Sequence, residues 1–136
     1  MNTININLFS KIFRKPAFLP PENVLSTFNE LFSDVINVEW TLLGTNYEVI
    51  FYKDKVECIA SFNKEAVLLT HKMFLSESYL PQTIKNRISA KGEIMNVVMI
   101  NQGNLIAYEI IYRDLNLNRF MITFDILGNI TDEQSL

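Results

Sequence analysis

The sequence predicts an α+β domain in which two tandem units, each a short helix followed by antiparallel strands, form one antiparallel sheet with both helices on one face. Three observations predict it. Apolar residues recur at helical spacing and then switch to strict alternation, and this switch happens twice along the chain. The alternating stretches are joined by short turns, which suits neighbouring antiparallel strands, since parallel strands need crossovers of a dozen or more residues. Landmarks also correspond at an offset of about 60 residues, the kind of internal period that fixes an architecture: Pro21 with Pro81, Tyr47 with Tyr108, and Phe62-Asn63 with Phe124-Asp125.

Residues 1–20 read as a basic amphipathic segment. Lys11, Arg14 and Lys15 are its charges, and Asn5, Leu8, Phe9, Ile12 and Phe13 share a helical face. Such a segment more often caps an exposed side of its own domain; the lesser alternative is contact of residues 4–15 with an anionic membrane surface. Pro16, Pro20 and Pro21 break the chain and prepare the next helix start.

Residues 21–136 read as one domain, with a first repeat over about 21–74 and a second over about 79–131. Val24, Leu25, Phe28, Leu31 and Phe32 form one buried helical face, ending at Asp34. Val38, Trp40 and Leu42 then alternate with Glu39 and Thr41, and Gly44-Thr45-Asn46 turns the chain into Tyr47, Val49 and Phe51. Lys53-Asp54-Lys55 leads to Val56, Cys58, Ala60 and Phe62, and Asn63-Lys64-Glu65 leads to an apolar run from Ala66 to Thr70. In the second repeat Leu80, Ile84 and Ile88 mark a helix, and Ile94, Val98 and Ile100 a strand ending at Gln102-Gly103-Asn104. Tyr108, Ile110 and Tyr112 follow, then the Asp114–Asn118 loop, then Phe120, Ile122 and Phe124. All of these phased residues are expected beneath the helices.

Composition excludes several function classes. The chain has 136 residues, 49% hydrophobic and 12% aromatic, enough to bury a core without staples. Its net charge of −3 speaks against nucleic acid as a partner, because phosphate binding needs a basic stripe. No apolar stretch reaches the roughly 18 residues of a transmembrane helix. A single cysteine allows no internal disulfide, and no export signal is visible, so the chain as written is expected in the cytoplasm.

No catalytic, cofactor or metal constellation is legible, and the chain is not expected to be an enzyme. Cys58 shares the phase of the core, where a thiol behaves as a small apolar group, so a Cys58–His71 dyad is not supported. His71 is expected at a strand edge, as a surface or hydrogen-bonded histidine. No histidine pair, Cys-x-x-Cys or carboxylate cluster has ligand spacing. The four glycines stand alone, without a phosphate-cradling loop, and Asn129-Ile130-Thr131 reads as turn chemistry. Trp40 is assigned to the core by its phase rather than to an interface. The candidate interface is the other sheet face, where Ile50, Tyr52, Ile59, Ile111 and Met121, with Arg113 at a strand end, form an apolar centre among charges. The competing reading is that strand propensity alone places them there, or that the N-terminal segment covers them.

The stretch from Pro21 to Thr131 resembles the PepSY-like, β-lactamase-inhibitor-like domains. The residues that carry the likeness are Phe28-Asn29-Glu30-Leu31-Phe32, Val38-Glu39-Trp40, Gly44-Thr45-Asn46-Tyr47-Glu48-Val49-Ile50-Phe51, Ala60-Ser61-Phe62-Asn63, Leu80-Pro81 and Phe124-Asp125-Ile126-Leu127-Gly128. The resemblance implies a two-repeat fold with helices on one side of an antiparallel sheet, no enzymatic activity, and action by binding proteins. It transfers no functional residue. It also favours an exported, periplasmic protein if the true start lies upstream. β-Lactamase inhibition itself does not carry over, because a shared fold does not fix the partner.

The function expected is therefore a non-enzymatic protein- or peptide-binding module. Two alternatives are a cytosolic secretion-type chaperone and a carrier of small apolar ligands. The first would be expected to dimerise and to carry a helix near its C-terminus, whereas only Thr131 to Leu136 follow the last turn. The second needs a pocket between helices and sheet, which Phe28, Phe32, Phe51, Phe62 and Phe124 are expected to fill rather than line.

Overall fold

The computed structural model describes residues 18–136; the basic amphipathic segment expected before them lies largely outside the described residues. Helix α1 (Glu22–Leu31) starts where Pro21 presets its own φ and offers its carbonyl oxygen to the backbone N–H groups of Val24 and Leu25. Helix α2 (Gln82–Ser89) starts in the same way, with Ile84 and Lys85 donating to the Pro81 carbonyl. Val24 and Phe28 in α1, and Ile84 and Ile88 in α2, recur every four residues and are buried. α1 ends before Phe32, which is extended, and Asp34 turns the chain with φ 56°. Leu31, expected in the buried face, is 52% exposed, because Phe28 and Phe32 take the positions that meet the sheet.

The strands are β1 (Ile36–Leu43), β2 (Asn46–Lys53), β3 (Val56–Phe62), β4 (Leu68–Leu75), β5 (Glu93–Gln102), β6 (Leu105–Arg113), β7 (Arg119–Asp125) and β8 (Ile130–Ser135). They form one eight-stranded sheet in sequence order, every neighbour antiparallel. α1 precedes β1–β4 and α2 precedes β5–β8, with a short 3-10 turn (Glu77–Tyr79) before α2.

The register places both helices on one face. Residues paired across an antiparallel ladder point to the same side. Phe51, Cys58, Met73, Met99, Tyr108 and Phe124 form one such row, and Leu75, Val97, Ile110 and Ile122 another. Phe28 packs its ring 5.2 Å from those of Trp40 and Phe51 and 6.4 Å from that of Phe62, so α1 covers β1–β3. Ile84 and Ile88 pack with Val97, Ile110, Ile122 and Phe124, so α2 covers the other half. Truncating such a ring or branched chain to alanine costs about 2–5 kcal/mol.

Two kinds of turn set the strand spacing. Asp54 and Lys55 both have positive φ, as a two-residue type I′ hairpin requires. Three five-residue turns share another design. Asn63, Asp114 and Asp125 each accept, through Oδ1, the N–H groups two and four residues on. In each the fourth residue (Ala66, Leu117, Gly128) lies in the left-handed region.

Five expectations are corrected. Val98 and Ile100 face away from the helices, because a bulge between Ile94 and Asn96 inserts a residue and hands the core positions to Val97 and Met99. Val38 and Leu42 are 42% and 56% exposed, since β1 is an edge strand with a bulge between Ile36 and Glu39. The run expected to end at Thr70 continues as β4 to Leu75, so His71 stands inside a central strand, paired with Ala60 and Asn101. Its ring lies 4.9 Å from that of Phe32, on the helix side. Ile130-Thr131, read as turn, opens β8, which pairs with β7.

Candidate functional site

Among the described residues both core clusters lie on the helix side, and neither extends to the second face of the sheet. One row across it runs Glu39, Ile50, Ile59, Lys72, Ile100, Ala107 and Asp125. A second runs Phe74, Val98, Glu109, Thr123 and Asp132, and a third Asn96, Ile111, Met121 and Gln134. Glu39, Glu57, Arg113 and Asp132 lie toward the strand ends and edges, whereas Lys72 and Glu109 stand among the apolar residues at the centre.

The structure brings the sequence-derived candidates together only in pairs. Ile50 stands directly opposite Ile59, and Ile111 opposite Met121. Three strand spacings separate β3 from β6, roughly 14 Å at about 4.8 Å each, so these pairs do not touch. Lys72, Phe74, Val98 and Ile100 fill the interval, and sequence reasoning missed all four. The alternation Lys72/Phe74 against His71/Met73 would have found two of them. Val98 and Ile100 sit in a continuous apolar run, where period two gives no phase. Tyr52 pairs with Glu57, and Arg113 makes an ion pair with Glu93 at 2.7 Å while standing opposite Arg119. All six candidates are half-buried, because side chains on adjacent strands cover one another.

The helix side carries a different feature. A cavity of about 390 Å³ opens beside the end of α1, lined by Leu31, Phe32, Val56, Cys58, His71 and Met73, with Lys53 and Asp54 also bordering it. Of the five rings expected to fill rather than line a pocket, Phe32 lines this cavity and Phe28, Phe51, Phe62 and Phe124 do not. Cys58 is 3% exposed and burial pushes its thiol above the ordinary value, helped by the Glu57 charge. Burial pulls His71 below its ordinary value, so its imidazole is neutral. The buried Nε2 of His71 has no hydrogen-bond partner among the described residues. Both shifts run against a thiolate–imidazolium pair. Among the described residues no three His, Cys, Asp or Glu side chains converge in a way that could hold a metal ion. None of the described helices is long and apolar enough to cross a membrane.

No protein-family model matches the chain, and no curated protein matches it. Solved structures do. A BLIP-like protein from Bacteroides fragilis NCTC 9343 superposes with a TM-score of 0.76 at 15% identity, over 93% of this chain and 92% of that one. The chain has a BLIP-like fold. A DUF2874 family protein from Bacteroides ovatus ATCC 8483 superposes as well, at a TM-score of 0.79 and 20% identity, covering 88% of this chain and 89% of its own. So does a protein of Bacteroides eggerthii DSM 20697 described as a candidate periplasmic protein, at 0.79 and 15%, covering 87% and 90%. At these identities the likeness extends to the BLIP-like fold alone.

Proposed function

We propose that this chain is a non-enzymatic binding module that takes up a protein or peptide on the helix-free face of its sheet. One observation carries the reading: the face presents an apolar band, Ile50-Ile59, Ile100, Phe74-Val98 and Ile111-Met121, with Lys72 and Glu109 within it and Glu39, Glu57, Arg113 and Asp132 around it, and neither core cluster of the described residues extends to it. An apolar centre with a charged rim is the anatomy of a recognition surface. Lys72, between Ile59 and Ile100, supplies a cation near the middle of the band, where a partner carboxylate would fix orientation.

Three finer readings accompany this one. The halves are read as tandem repeats: Pro21 and Pro81 open the helices, buried residues follow three and seven positions later in both, and equivalent five-residue turns follow Phe62 and Phe124. Export to the periplasm, and kinship with PepSY-like domains, are read from the resemblance and from the candidate periplasmic neighbour.

A photo-crosslinking residue placed at Lys72 tests the binding reading. It should capture a discrete polypeptide from lysate of the native organism, whereas the same residue at Glu30, exposed on α1, should not. Capture from Glu30 and not from Lys72 would move the site to the helix side.

A further inference from the structure

The helix-side cavity brings together the one cysteine, the one histidine and one of the five methionines of the chain. Cys58 on β3 stands directly opposite Met73 on β4, and His71 lies two residues before Met73 on the same face. Side chains directly paired have β-carbons about 5 Å apart, and diagonal neighbours about 7 Å. That is close enough for a thiol, a thioether and an imidazole to reach one point. All three border the same space, and Phe32, at 8% exposed, lines it with its ring 4.9 Å from that of His71. Met99, the residue opposite Met73 on β5, continues the line of sulfurs toward the second half of the sheet.

Two polar groups of this cluster are left without a close hydrogen-bond partner among the described residues. The His71 Nε2 is buried without a hydrogen-bond partner among the described residues, a state that costs about 1–3 kcal/mol unless something satisfies it. Cys58 has only a long contact, 3.6 Å from its sulfur to the Val56 carbonyl oxygen. The remaining lining is apolar, apart from Lys53 and Asp54. Of these, Lys53 is engaged with the Ser33 carbonyl oxygen.

We propose that Cys58, His71 and Met73 form a half-buried binding site for Cu(I). Thiolate and thioether donors select Cu(I) over hard cations, and imidazole serves it equally well. Zn(II) and the hard divalent ions would need further N, O or thiolate donors that do not converge here. The cavity is apolar and part-enclosed, which suits a monovalent ion neutralised by a single thiolate. On binding, copper takes the sulfur of Cys58, whose thiol proton passes to solvent. No electron is transferred. His71 needs no deprotonation, since its imidazole is already neutral. The site lies on the side of the sheet opposite the proposed recognition face, so either can exist without the other.

The test is a competition titration of the reduced full-length chain with Cu(I) held by the chromophoric chelator bicinchoninate, under anaerobic conditions. Wild type is expected to withdraw one equivalent of copper. Met73→Leu conserves volume and should keep the fold, checked by its thermal midpoint. It should weaken copper binding by roughly tenfold or more, given that even outer partners of metal ligands act on that scale. His71→Leu should do the same, and Met121→Leu, on the far face, should bind as wild type does. Failure of wild type to withdraw copper, or retention of wild-type affinity by both Met73→Leu and His71→Leu, would overturn the assignment.

Discussion

A β-carbon on Gly92 would stand 2.2 Å from the carbonyl oxygen of Arg113. Gly92 follows α2, donates its N–H to the Ile88 carbonyl, and leads straight into β5. The glycine therefore sets how closely the end of the second helix can approach the end of β6. Gly92→Ala has no flexible side chain to push aside, only backbone. It is expected to destabilise the chain by about 1–3 kcal/mol, the range for overpacking, read as a fall in the urea midpoint with an unchanged slope. An unaltered midpoint would show that β5 and β6 can shift apart freely.

Ile110 and Ile111 are chemically identical neighbours on β6 with opposite surroundings. Ile110 is fully buried under α2 opposite Ile122, while Ile111 is half-buried on the helix-free face opposite Met121. Ile110→Ala is expected to cost about 2–5 kcal/mol, and Ile111→Ala about 1 kcal/mol, the ordinary scale of a substitution outside the core. Equal losses by urea denaturation would mean that the second face is itself covered.

Leu117 is 69% exposed and sits at φ 66° in the Asp114–Asn118 turn, where the equivalent turn after β7 has Gly128. A side chain in the left-handed region costs about 1–2 kcal/mol per residue, partly offset in the variant by the entropy that glycine loses on folding. Leu117→Gly is expected to stabilise the protein by a few tenths to about 1 kcal/mol. The reverse exchange, Gly128→Ala, should destabilise, because its β-carbon would also meet Thr83 Cγ2 at 3.2 Å. Thermal midpoints of the two variants moving in the same direction would contradict this account of the turns.

His71 makes stability depend on pH in a definite direction. Its folded-state pKa is lowered by burial beside Phe32 and Phe51, while in the unfolded chain it returns to the ordinary value near 6.5. The unfolded state thus binds the proton first. The contribution of the neutral imidazole is fully present above about pH 6.5 and is lost as pH falls from there through the lower folded value. Urea midpoints of wild type should fall over that window more steeply than those of His71→Leu. Parallel curves for the two proteins would show that His71 titrates as an exposed histidine.

Much of this fold was legible because burial on one face writes itself into alternation. Tyr108, Ile110, Tyr112, Phe120, Ile122 and Phe124 all lie where period two places them. The helices were readable from Pro21 and Pro81 and from four-residue spacing. Phase failed at bulges, which shift it by one: Ile94 stays on the helix side, but Val98 and Ile100 do not. It also failed at β1, where the period is correct and Trp40 is buried, yet Val38 and Leu42 lie at the sheet edge with little above them. The helix-free face was located correctly as a face, and Ile50, Ile59, Ile111 and Met121 do lie on it. Its centre was invisible, because β4 was cut short at Thr70 and no local signal marks Lys72 or Phe74 as facing away from His71. The cavity was invisible as well. It arises from the place where α1 stops, a tertiary fact that the aromatic content of the chain does not encode.

The most direct measurement of the proposed role is affinity capture from lysate of the native organism, comparing the wild-type chain with Ile50→Glu/Met121→Glu. Both substitutions lie on the helix-free face, in the two pairs that flank Lys72. The expected result is a partner retained by wild type and lost by the variant, with the variant still folded by its thermal transition. Capture of the same partner by both baits, or unfolding of the variant, would contradict the assignment of that face as an open recognition surface.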